Sequence, residues 1–402
     1  MLPAIVAAIE REGSIGFDRY QELALYGPGG FFEAGAGAGR RSDFLTSAEV
    51  GPLFGEVIAR ALDGWWDELE RPEPFVVVEA GAGVGRLARA VLAAEPRCAS
   101  ALRYVLVERS PVLRRAQERI LTLTDPALSF AGVGDDDEES DRRRPPPGPI
   151  VTSLSELPTG PFVGVVLANE LLDNLPVRIA EKNAAGWSEI RVTLTKTGGG
   201  DDALCELSVP LAEEASAHLD RLVPVPLEPG SRVPIAVAAR NWLRDAGEIV
   251  DRGRVVVVDY GETTATLGRR GGWLRTYRDH DRGADPYLEP GCLDITSDVP
   301  LDQLDPLGSP DIDVDQASFL RGHGIEDLVA EGRRIWAERA AIGDLAAMRA
   351  RSRIGESEAL LDPAGLGGFR VLGWRIGRQL MIPPAGADSG WRGAPGGTLP
   401  SR

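Results

Sequence analysis

Residues 75–86 read FVVVEAGAGVGR, and this short segment sets the fold expected for the whole chain. An apolar run that ends at an acid and breaks into alternating glycines is typical of a buried parallel strand that leads into a ligand-binding turn. Gly81, Gly83 and Gly85 carry no Cβ atoms to keep a ligand from the backbone, and a helix beginning at Arg86 directs its first amides into the turn. The segment therefore predicts a ligand at the end of a strand.

The spacing of the glycines indicates which ligand to expect. A dinucleotide-binding turn requires G-x-G-x-x-G, whereas this segment reads E-x-G-x-G-x-G. That version resembles motif I of the class I S-adenosylmethionine-dependent methyltransferases. The resemblance implies a Rossmann-like α/β fold with a doubly wound, mostly parallel sheet, and S-adenosylmethionine as the cofactor. It also implies Glu79, Gly81, Gly83 and Gly85 as cofactor-binding residues. A glycine-rich turn that binds no ligand is the alternative.

A second strand pattern, LRYVLV over residues 102–107, ends at Glu108. In doubly wound sheets ligands bind in the crevice outside the carboxyl ends of the strands, where an acid accepts hydrogen bonds from ribose hydroxyls. We interpret Glu108 as a cofactor-binding residue that holds both ribose hydroxyls. A helix-capping role in the Ser110-Pro111 turn that follows is the alternative.

Composition and charge narrow the class of protein and its partners. The chain has 402 residues, 43% apolar and 26% charged, which is ordinary for a soluble globular protein with one large or two modest cores. Its net charge of −17 argues against a nucleic acid or an anionic membrane as partner. The same charge favours a basic protein substrate. A homodimer is compatible with these features, and the oligomeric state stays open.

The cysteines and the N-terminus indicate the compartment. Cys98, Cys205 and Cys292 are far apart and form no C-x-x-C pair, so we expect neither a disulfide framework nor a metal site. The first residues carry no basic region and become acidic within residues 1–12, and no apolar run reaches the ~20 residues of a membrane span. We therefore expect a cytoplasmic protein without membrane insertion.

The N-terminal part of the chain shows helical spacing over residues 2–12 and again over residues 14–25. A turn-rich loop, YGPGGFF, follows over residues 26–32, and residues 42–56 read SDFLTSAEVGPLFGE. Together these segments resemble the N-terminal signature of the MidA family. Its members are bacterial relatives of the mitochondrial complex I assembly factor that methylates an arginine.

The resemblance implies that residues 42–56 fold over the cofactor beside the glycine turn. Thr46 and Ser47 are then cofactor-binding residues. Ser42 and Ala48 stand where the family motif has glycine and proline, which are mild departures. Because serine and threonine are also favoured at helix N-caps, capping of the following helix is the alternative for Thr46 and Ser47.

A short apolar strand pattern over residues 161–168 leads into NELLDNLPV, residues 169–177. This segment is similar to the family motif Asn-Glu-x-x-Asp-Ala-Leu-Pro-Val. In class I methyltransferases the polar residues after the fourth strand face the reacting centre, so the resemblance implies Asn169 as a cofactor-binding residue. It implies Glu170 and Asp173 as catalytic residues. Acidic residues that only complement a helix dipole are the alternative.

Further along the chain, WLRTYRDH over residues 273–280 resembles the family segment Thr-Tyr/Phe-Arg-x-His. The resemblance makes His280 a candidate catalytic residue in contact with the substrate. A structural histidine is the alternative. No cysteine or second histidine lies nearby in the sequence, so His280 is not expected to bind a metal.

The predicted organisation begins with an N-terminal helical cap and a cofactor-covering loop over residues 1–70. A Rossmann-like methyltransferase domain follows over residues 71–382, with an insertion at about residues 183–250 that contains a hairpin and mostly helical chain. Residues 134–149 combine acidic residues, arginines and prolines, which predicts a flexible loop; a recognition role is the alternative. Residues 383–402 are rich in Gly, Pro and Ser and are predicted to be disordered.

Methyl transfer is an in-line displacement, so the protein must position the reactants and handle the charge and the proton of the nucleophile. The family resemblance implies an arginine guanidinium of a protein partner as the acceptor. Two carboxylates can hold its planar fork, and Glu170 and Asp173 are the candidates. Methylation of a small molecule is one alternative. A cofactor-binding assembly or docking role with weak activity is another.

Overall fold

The structure is a computed structural model that describes residues 2–33, 46–129, 148–196, 202–278, 281–283 and 285–377. Helices and strands alternate along most of this chain. The α-helices are α1 (Pro3–Glu12), α2 (Phe17–Tyr26), α3 (Ser47–Val50), α4 (Pro52–Glu68), α5 (Arg86–Ala93), α6 (Pro111–Gln117), α7 (Pro126–Ser129), α8 (Glu213–Leu222), α9 (Val237–Glu248), α10 (Thr264–Arg270), α11 (Gln316–Gly322), α12 (Ile325–Arg339) and α13 (Leu345–Leu361).

The strands range from two to eleven residues. They are β1 (Ile15–Gly16), β2 (Phe75–Ala80), β3 (Leu102–Val107), β4 (Ile150–Leu154), β5 (Phe162–Asn169), β6 (Arg178–Asn183), β7 (Gly186–Lys196), β8 (Asp202–Pro210), β9 (Arg232–Ile235), β10 (Val250–Asp259), β11 (Gly261–Glu262), β12 (Leu274–Arg278), β13 (Asp281–Arg282), β14 (Asp294–Ser297), β15 (Val299–Pro300), β16 (Ile312–Asp315) and β17 (Arg370–Ile376).

The largest sheet has seven strands in the order β16-β17-β10-β5-β2-β3-β4. Strands β10, β5, β2, β3 and β4 run parallel, and β17 is antiparallel to both of its neighbours. The chain order reverses between β2 and β5, because β3 and β4 lie on one side of that pair and β10 on the other. Such a reversal opens a crevice at the carboxyl ends of the strands, where doubly wound proteins bind ligands. The predicted fold class is confirmed.

Helices cover both faces of this sheet, which explains its continuous apolar strands. Val77 and Val165 face a core formed with helices α4, α5, α11, α12 and α13. Val76 and Val166, which are the chain neighbours of Val77 and Val165, face the opposite core, which includes α9. The alternation of side chains along a strand therefore divides each apolar run between two buried layers.

A second sheet lies beside the first and contains β1, β6, β7, β8 and β9. The alternating patterns at residues 187–194 and 203–209 predict a hairpin, and β7 pairs with β8 from Ser188↔Pro210 to Lys196↔Asp202. The hairpin prediction is confirmed. The rest of the insertion, expected to be mostly helical, contains α8 and α9 and also the strand β9, which was not expected.

Strand β9 pairs antiparallel with β6. It has only four residues, and one of them is a proline, so the sequence carries too short an alternation to predict a strand. Its partner β6 supplies the pairing that decides the local structure, as tertiary context commonly does for short strands.

The N-terminal helices α1 and α2 pack on the second sheet. Phe17 and Tyr20 share a core with Ile179 and Ile190 of that sheet. Helix α4, which also lies within residues 1–70, packs on the large sheet instead. The predicted boundaries between domains stay predictions.

Several sequence predictions fall outside the described residues. They concern residues 42–45 of the predicted cofactor-covering segment, the loop at 134–149 except its last two residues, the tail at 383–402, and His280. Within the described part of the chain, no helix is long and apolar enough to span a bilayer.

The tight register of the central strands generates a stability prediction. Gly164 of β5 pairs with Val76 of β2 and with Gly253 of β10. A Cβ atom at Gly164 would overlap the carbonyl oxygen of Val76, so Gly164→Ala should lower the free energy of unfolding by about 2 kcal/mol or more. Urea denaturation followed by circular dichroism measures this change.

The matched control is Gly64→Ala. Gly64 is exposed in the interior of α4, and an added Cβ meets nothing within 4 Å. This change should leave stability unchanged or raise it by up to about 1 kcal/mol, because alanine favours helix. Equal stability of the two variants would contradict the close approach of β2 and β5.

Candidate functional site

The glycine turn lies at the carboxyl end of β2. Gly81, Gly83 and Gly85 have φ values of +70°, +53° and +83°, in the left-handed region that favours glycine. A Cβ at Gly81 or Gly85 would press against leucine side chains at 2.9 and 2.8 Å, whereas a Cβ at Gly83 would meet nothing within 4 Å. Gly81 and Gly85 therefore permit close packing of the turn, and Gly83 faces open space.

Glu108 follows β3 and contacts the same turn. Its Oε2 accepts a hydrogen bond from Gly83 N at 2.9 Å, and its Oε1 accepts one from Ser110 N at 2.8 Å. The cap of α6 is supplied by Ser110, whose Oγ accepts from Leu113 N. Burial raises the pKa of Glu108, and the backbone N–H groups of Ser110, Gly83 and Arg109 oppose that rise. Each carboxylate oxygen keeps a second lone pair for another donor.

Gln117 is a residue of the site that sequence reasoning missed. Its Nε2 donates to the Gly83 carbonyl at 2.7 Å, and its Oε1 accepts from Ser153 Oγ at 2.6 Å. The side chain is fully buried. Gln117, the last residue of α6, thereby links the glycine turn to β4. Its only signal in the sequence is a polar residue on the buried face of a short helix.

Glu79, the acid that precedes the turn, is buried beneath helix α5. Its Oε2 accepts a hydrogen bond from the Tyr104 hydroxyl at 2.7 Å. Burial raises the pKa of Glu79 to about 7, although the bonds from Tyr104 and from the Ala88 amide favour the charged form. These contacts tie the strand end to β3 and α5. A direct contact of Glu79 with a cofactor stays a prediction.

The end of β5 lies next to the end of β2. Glu170 has a φ of +52°, a strained conformation for a residue with a Cβ. Its Oε1 accepts from Ser47 N at 2.8 Å and from Asn169 Nδ2 at 3.1 Å. The oxygen of the Asn169 amide, Oδ1, is buried and has no hydrogen-bond partner among the described residues.

Asp173 lies in a short 3-10 helix, Leu172–Asn174, that follows β5. Its Oδ2 accepts from the Tyr260 hydroxyl at 2.7 Å. Asp259, at the end of β10, is almost fully buried and accepts at Oδ2 from the amides of Leu172 and Asp173. Asp259 therefore fixes the turn that presents Asp173.

Three carboxyl groups thus meet at one edge of the sheet. Burial raises the pKa of Glu170 to about 8, and the neighbouring charge of Asp173 adds to the rise. Burial raises the pKa of Asp173 to about 6 against the bond from Tyr260. Burial and the charges of Asp173 and Glu170 raise the pKa of Asp259 well above its ordinary value. Like charges in a desolvated site favour the protonated forms.

Asp259 and Tyr260 are further residues of the site that sequence reasoning missed, and only Asp259 has a usable signal in the sequence. The sequence shows an apolar strand over residues 254–258 that ends at Asp259, which is the same pattern that leads to Glu79 and Glu108. Tyr260 carries no such signal, because its hydroxyl reaches Asp173 only through the fold.

Residues 46–50 join the two strand ends. Ser47 donates its amide to Glu170, and its Oγ donates to Gln316 Oε1 at 2.9 Å. Glu49 lies 3.5 Å from Nε of Arg86, the first residue of α5. Thr46 is the N-cap of α3 and makes no side-chain capping bond, so the capping alternative is wrong for its hydroxyl. Cofactor contact by Thr46 and Ser47 stays a prediction.

The N-terminal segment closes the site near β3. The Arg109 guanidinium lies 4.7 Å above the ring of Tyr26 and pairs with Glu22 at 2.5 Å. Tyr26 stacks on Phe32 with ring centroids 5.2 Å apart, and Ser110 Oγ donates to the Phe32 carbonyl. The turn-rich loop predicted near residues 26–32 thus forms a wall beside Glu108.

The strand order, the glycine turn at the switch point and the acid on the next strand define a class I S-adenosylmethionine-dependent methyltransferase fold. Residues 57–317 match the family described as "Putative S-adenosyl-L-methionine-dependent methyltransferase", and the chain belongs to this family. The family resemblance predicted from the glycine turn is confirmed.

Curated relatives carry one name in several animals. The chain is 27% identical over 298 residues to "Protein arginine methyltransferase NDUFAF7 homolog, mitochondrial" of Drosophila melanogaster. The match covers 73% of this chain and 66% of that protein, just under two thirds of its length. It is 27% identical over 340 residues to "Protein arginine methyltransferase NDUFAF7, mitochondrial" of Rattus norvegicus, and the match covers 81% of this chain and 74% of that protein.

A solved structure agrees over nearly the whole chain. A COG1565 superfamily member from Burkholderia thailandensis, bound to S-adenosyl-homocysteine, is 28% identical with a TM-score of 0.74. The likeness covers 92% of this chain and 90% of that one.

The carboxyl cluster generates a prediction on the pH dependence of stability. Because Glu170 titrates near pH 8 in the folded chain and near 4.5 when exposed, the unfolded chain loses this proton first as pH rises. Its contribution therefore lowers stability between about pH 4.5 and 8. The Glu170→Gln variant lacks this titrating group, so its stability does not fall with pH for this reason. The free energy of unfolding of the variant minus that of wild type should therefore rise by about 1 kcal/mol or more from pH 5 to pH 8.

Urea unfolding at the two pH values measures this difference. Glu358→Gln is the control, because Glu358 is an exposed carboxylate on α13. We expect its stability relative to wild type to be the same at both pH values. A Glu170→Gln difference that does not grow with pH would show that the carboxyl is not desolvated.

Proposed function

We propose that this chain is an S-adenosylmethionine-dependent methyltransferase whose acceptor is an arginine of a protein partner. The observation that carries the proposal is the arrangement at the switch point. The open turn at Gly83 and the Glu108 carboxylate lie at the ends of β2 and β3, and Glu170 and Asp173 follow the adjacent strand β5. Donor and acceptor groups therefore share one crevice.

The residues of the turn fit the donor. Gly83 leaves the space that a Cβ would fill, and Glu108 keeps lone pairs for two ribose hydroxyls. The buried Oδ1 of Asn169 has no partner among the described residues and suits an ammonium or amide donor. S-adenosylmethionine, when bound here, supplies the electrophilic methyl group.

The acceptor proposal rests on charge and shape. Glu170 and Asp173 form no ion pair within the described part of the chain, so a cationic group that enters would favour their ionised forms and pair with them. A guanidinium presents several N–H donors in a plane and can pair with two carboxylates, whereas an ammonium is a point charge. The names of the animal relatives support the same acceptor.

The chain must also take up the proton that the methylated nitrogen releases. Oε1 of Glu170 already accepts two N–H groups, which leaves Oε2 to accept that proton. The raised pKa of Glu170 suits this role, because a base with a pKa near the working pH accepts protons efficiently. Tyr260 holds Asp173 by its hydroxyl, and Asp173 then orients the guanidinium.

The donor site is tested by Glu108→Ala. This change removes a charged acceptor of two hydrogen bonds, each contributing roughly 1.5–3 kcal/mol, so affinity for S-adenosylmethionine should fall at least tenfold. Isothermal titration calorimetry measures the affinity. Equal affinities of wild type and variant, or binding of NAD instead, would reject the donor assignment.

The control for this test is Glu118→Ala. Glu118 is exposed at the C-terminal end of α6, ten residues after Glu108. The control removes the same charge from the same region of the chain. Its affinity for S-adenosylmethionine should equal that of wild type.

The acceptor site is tested by Glu170→Gln. The amide oxygen can still accept from Ser47 N, so the cofactor site stays intact, but the charge that orients the guanidinium is lost. We expect unchanged donor affinity and a rate of methyl transfer lowered about 10²-fold or more. Transfer of a tritiated methyl group to proteins of a cell lysate measures the rate.

Mass spectrometry of the labelled product identifies the acceptor atom. Methyl groups on guanidinium nitrogens support the proposal. Methyl groups on lysine, on a carboxylate or on a metabolite reject the arginine acceptor and leave the donor site intact. No label in any fraction, with normal donor binding, favours a docking or assembly role.

A further inference from the structure

The hairpin of helices α12 and α13 ends in an exposed apolar tip, which we define as residues 333–351. Ile342, Leu345 and Met348 are 66%, 67% and 55% exposed. These three lie within seven residues of each other, whereas the other large exposed apolar residues of the described chain are scattered. Exposed apolar residues that cluster in this way mark a surface of interaction.

The tip faces outward because its helix packs by other residues. Ala347 and Ala350 are buried against the partner helix, and Leu345 and Met348, one turn apart, share the opposite face. Every residue from 337 to 346 is exposed except Asp344, which is partly exposed. The tip is therefore convex and does not form a groove.

The charge of the tip is opposite to that of the whole chain. Residues 333–351 contain five arginines and two carboxylates, in a chain with a net charge of −17. Arg334 and Arg339 pair with the two carboxylates of the tip. The guanidinium of Arg351 lies over the ring of Trp336. The exposed Arg333 and Arg349 and the stacked Arg351 leave a local excess of positive charge.

The acidic body of the protein does not cancel this charge at the tip. Leu328 and Val329 anchor α12 in the core of the large sheet. Arg333 and Arg339 stand four and ten residues further along α12 than Val329, which is about 6 and 15 Å at 1.5 Å per residue. The Debye length in physiological salt is about 8 Å. A surface that contacts the far end of the tip is therefore screened from most of the acidic charge of the protein body.

We propose that the tip docks the protein on an anionic phospholipid surface, with Ile342, Leu345 and Met348 in the interface and the arginines at the headgroups. A convex apolar point with an excess of arginines on the same hairpin matches the side chains that are found in this interface. A symmetric contact between two copies would bring like charges together, which disfavours a second copy as the occupant. The contact is peripheral and involves no span.

The test is sedimentation of the full chain with vesicles of phosphatidylcholine alone or with about 30% phosphatidylglycerol. Wild type should bind the anionic vesicles and not the neutral ones. Arg333→Gln with Arg349→Gln should lower the partition coefficient roughly 25-fold, about fivefold for each charge. Leu345→Ser with Met348→Ser should lower it at least tenfold.

Two control variants match these changes elsewhere on the surface. Leu288→Ser removes another exposed apolar side chain, 60% exposed. Arg244→Gln with Arg269→Gln removes two exposed charges from other helices. Both controls should bind the anionic vesicles as wild type does.

Three results would overturn the proposal. They are absence of binding to anionic vesicles, equal binding to neutral vesicles, and unchanged binding of the two tip variants. Binding of polyglutamate without binding of vesicles would assign the tip to an acidic protein partner instead. Donor affinity and methyl transfer, measured on the same variants, should stay at wild-type values.

Discussion

The parallel pairing of β2 with β5 is the constraint on which the site depends. Ala80 of β2 is opposite Ala168 of β5, so Gly81, the first residue after β2, lies beside Asn169, the last residue of β5. Both strands must run in the same direction for this to happen, and Gly164 permits their close approach. A turn that suits the donor and a carboxylate that suits the acceptor then become neighbours although they are far apart in the sequence.

This arrangement removes several carboxyl groups from water. Hydrogen bonds from the surrounding backbone replace part of the hydration that these groups lose. Ser47 N–H supports Glu170, and the amides of Leu172 and Asp173 support Asp259. Such bonds to a charged acceptor contribute more than neutral ones. Ser47 Oγ in turn donates a hydrogen bond to Gln316, the first residue of α11, which lies between β16 and β17 in the chain. The carboxyl cluster thus depends on segments from the start, middle and end of the chain.

The sequence predicts those parts of the site that short-range pattern controls. Apolar runs ended by glycines or acids identify β2, β3 and β5 and the residues that follow them, including Glu108 and Glu170. It does not predict β9, which forms because β6 offers it a partner. Nor does it predict the role of Tyr260, whose hydroxyl meets Asp173 across 87 residues of chain. Contacts of this range are set by the packing of whole elements, for which a single sequence carries little signal.

One guanidinium of the chain already lies at the edge of the carboxyl cluster. Arg275 stands 4.9 Å over the ring of Tyr260, and its charge lowers the pKa of Asp173. Its terminal nitrogen pairs with the buried Asp298 and not with Asp173. The positive charge of Arg275 therefore acts on the carboxyl cluster, but Arg275 forms its ion pair with Asp298 and not with Glu170 or Asp173. An aromatic face and carboxylates already accommodate a guanidinium beside the site, and the same chemistry suits the arginine that we propose as acceptor.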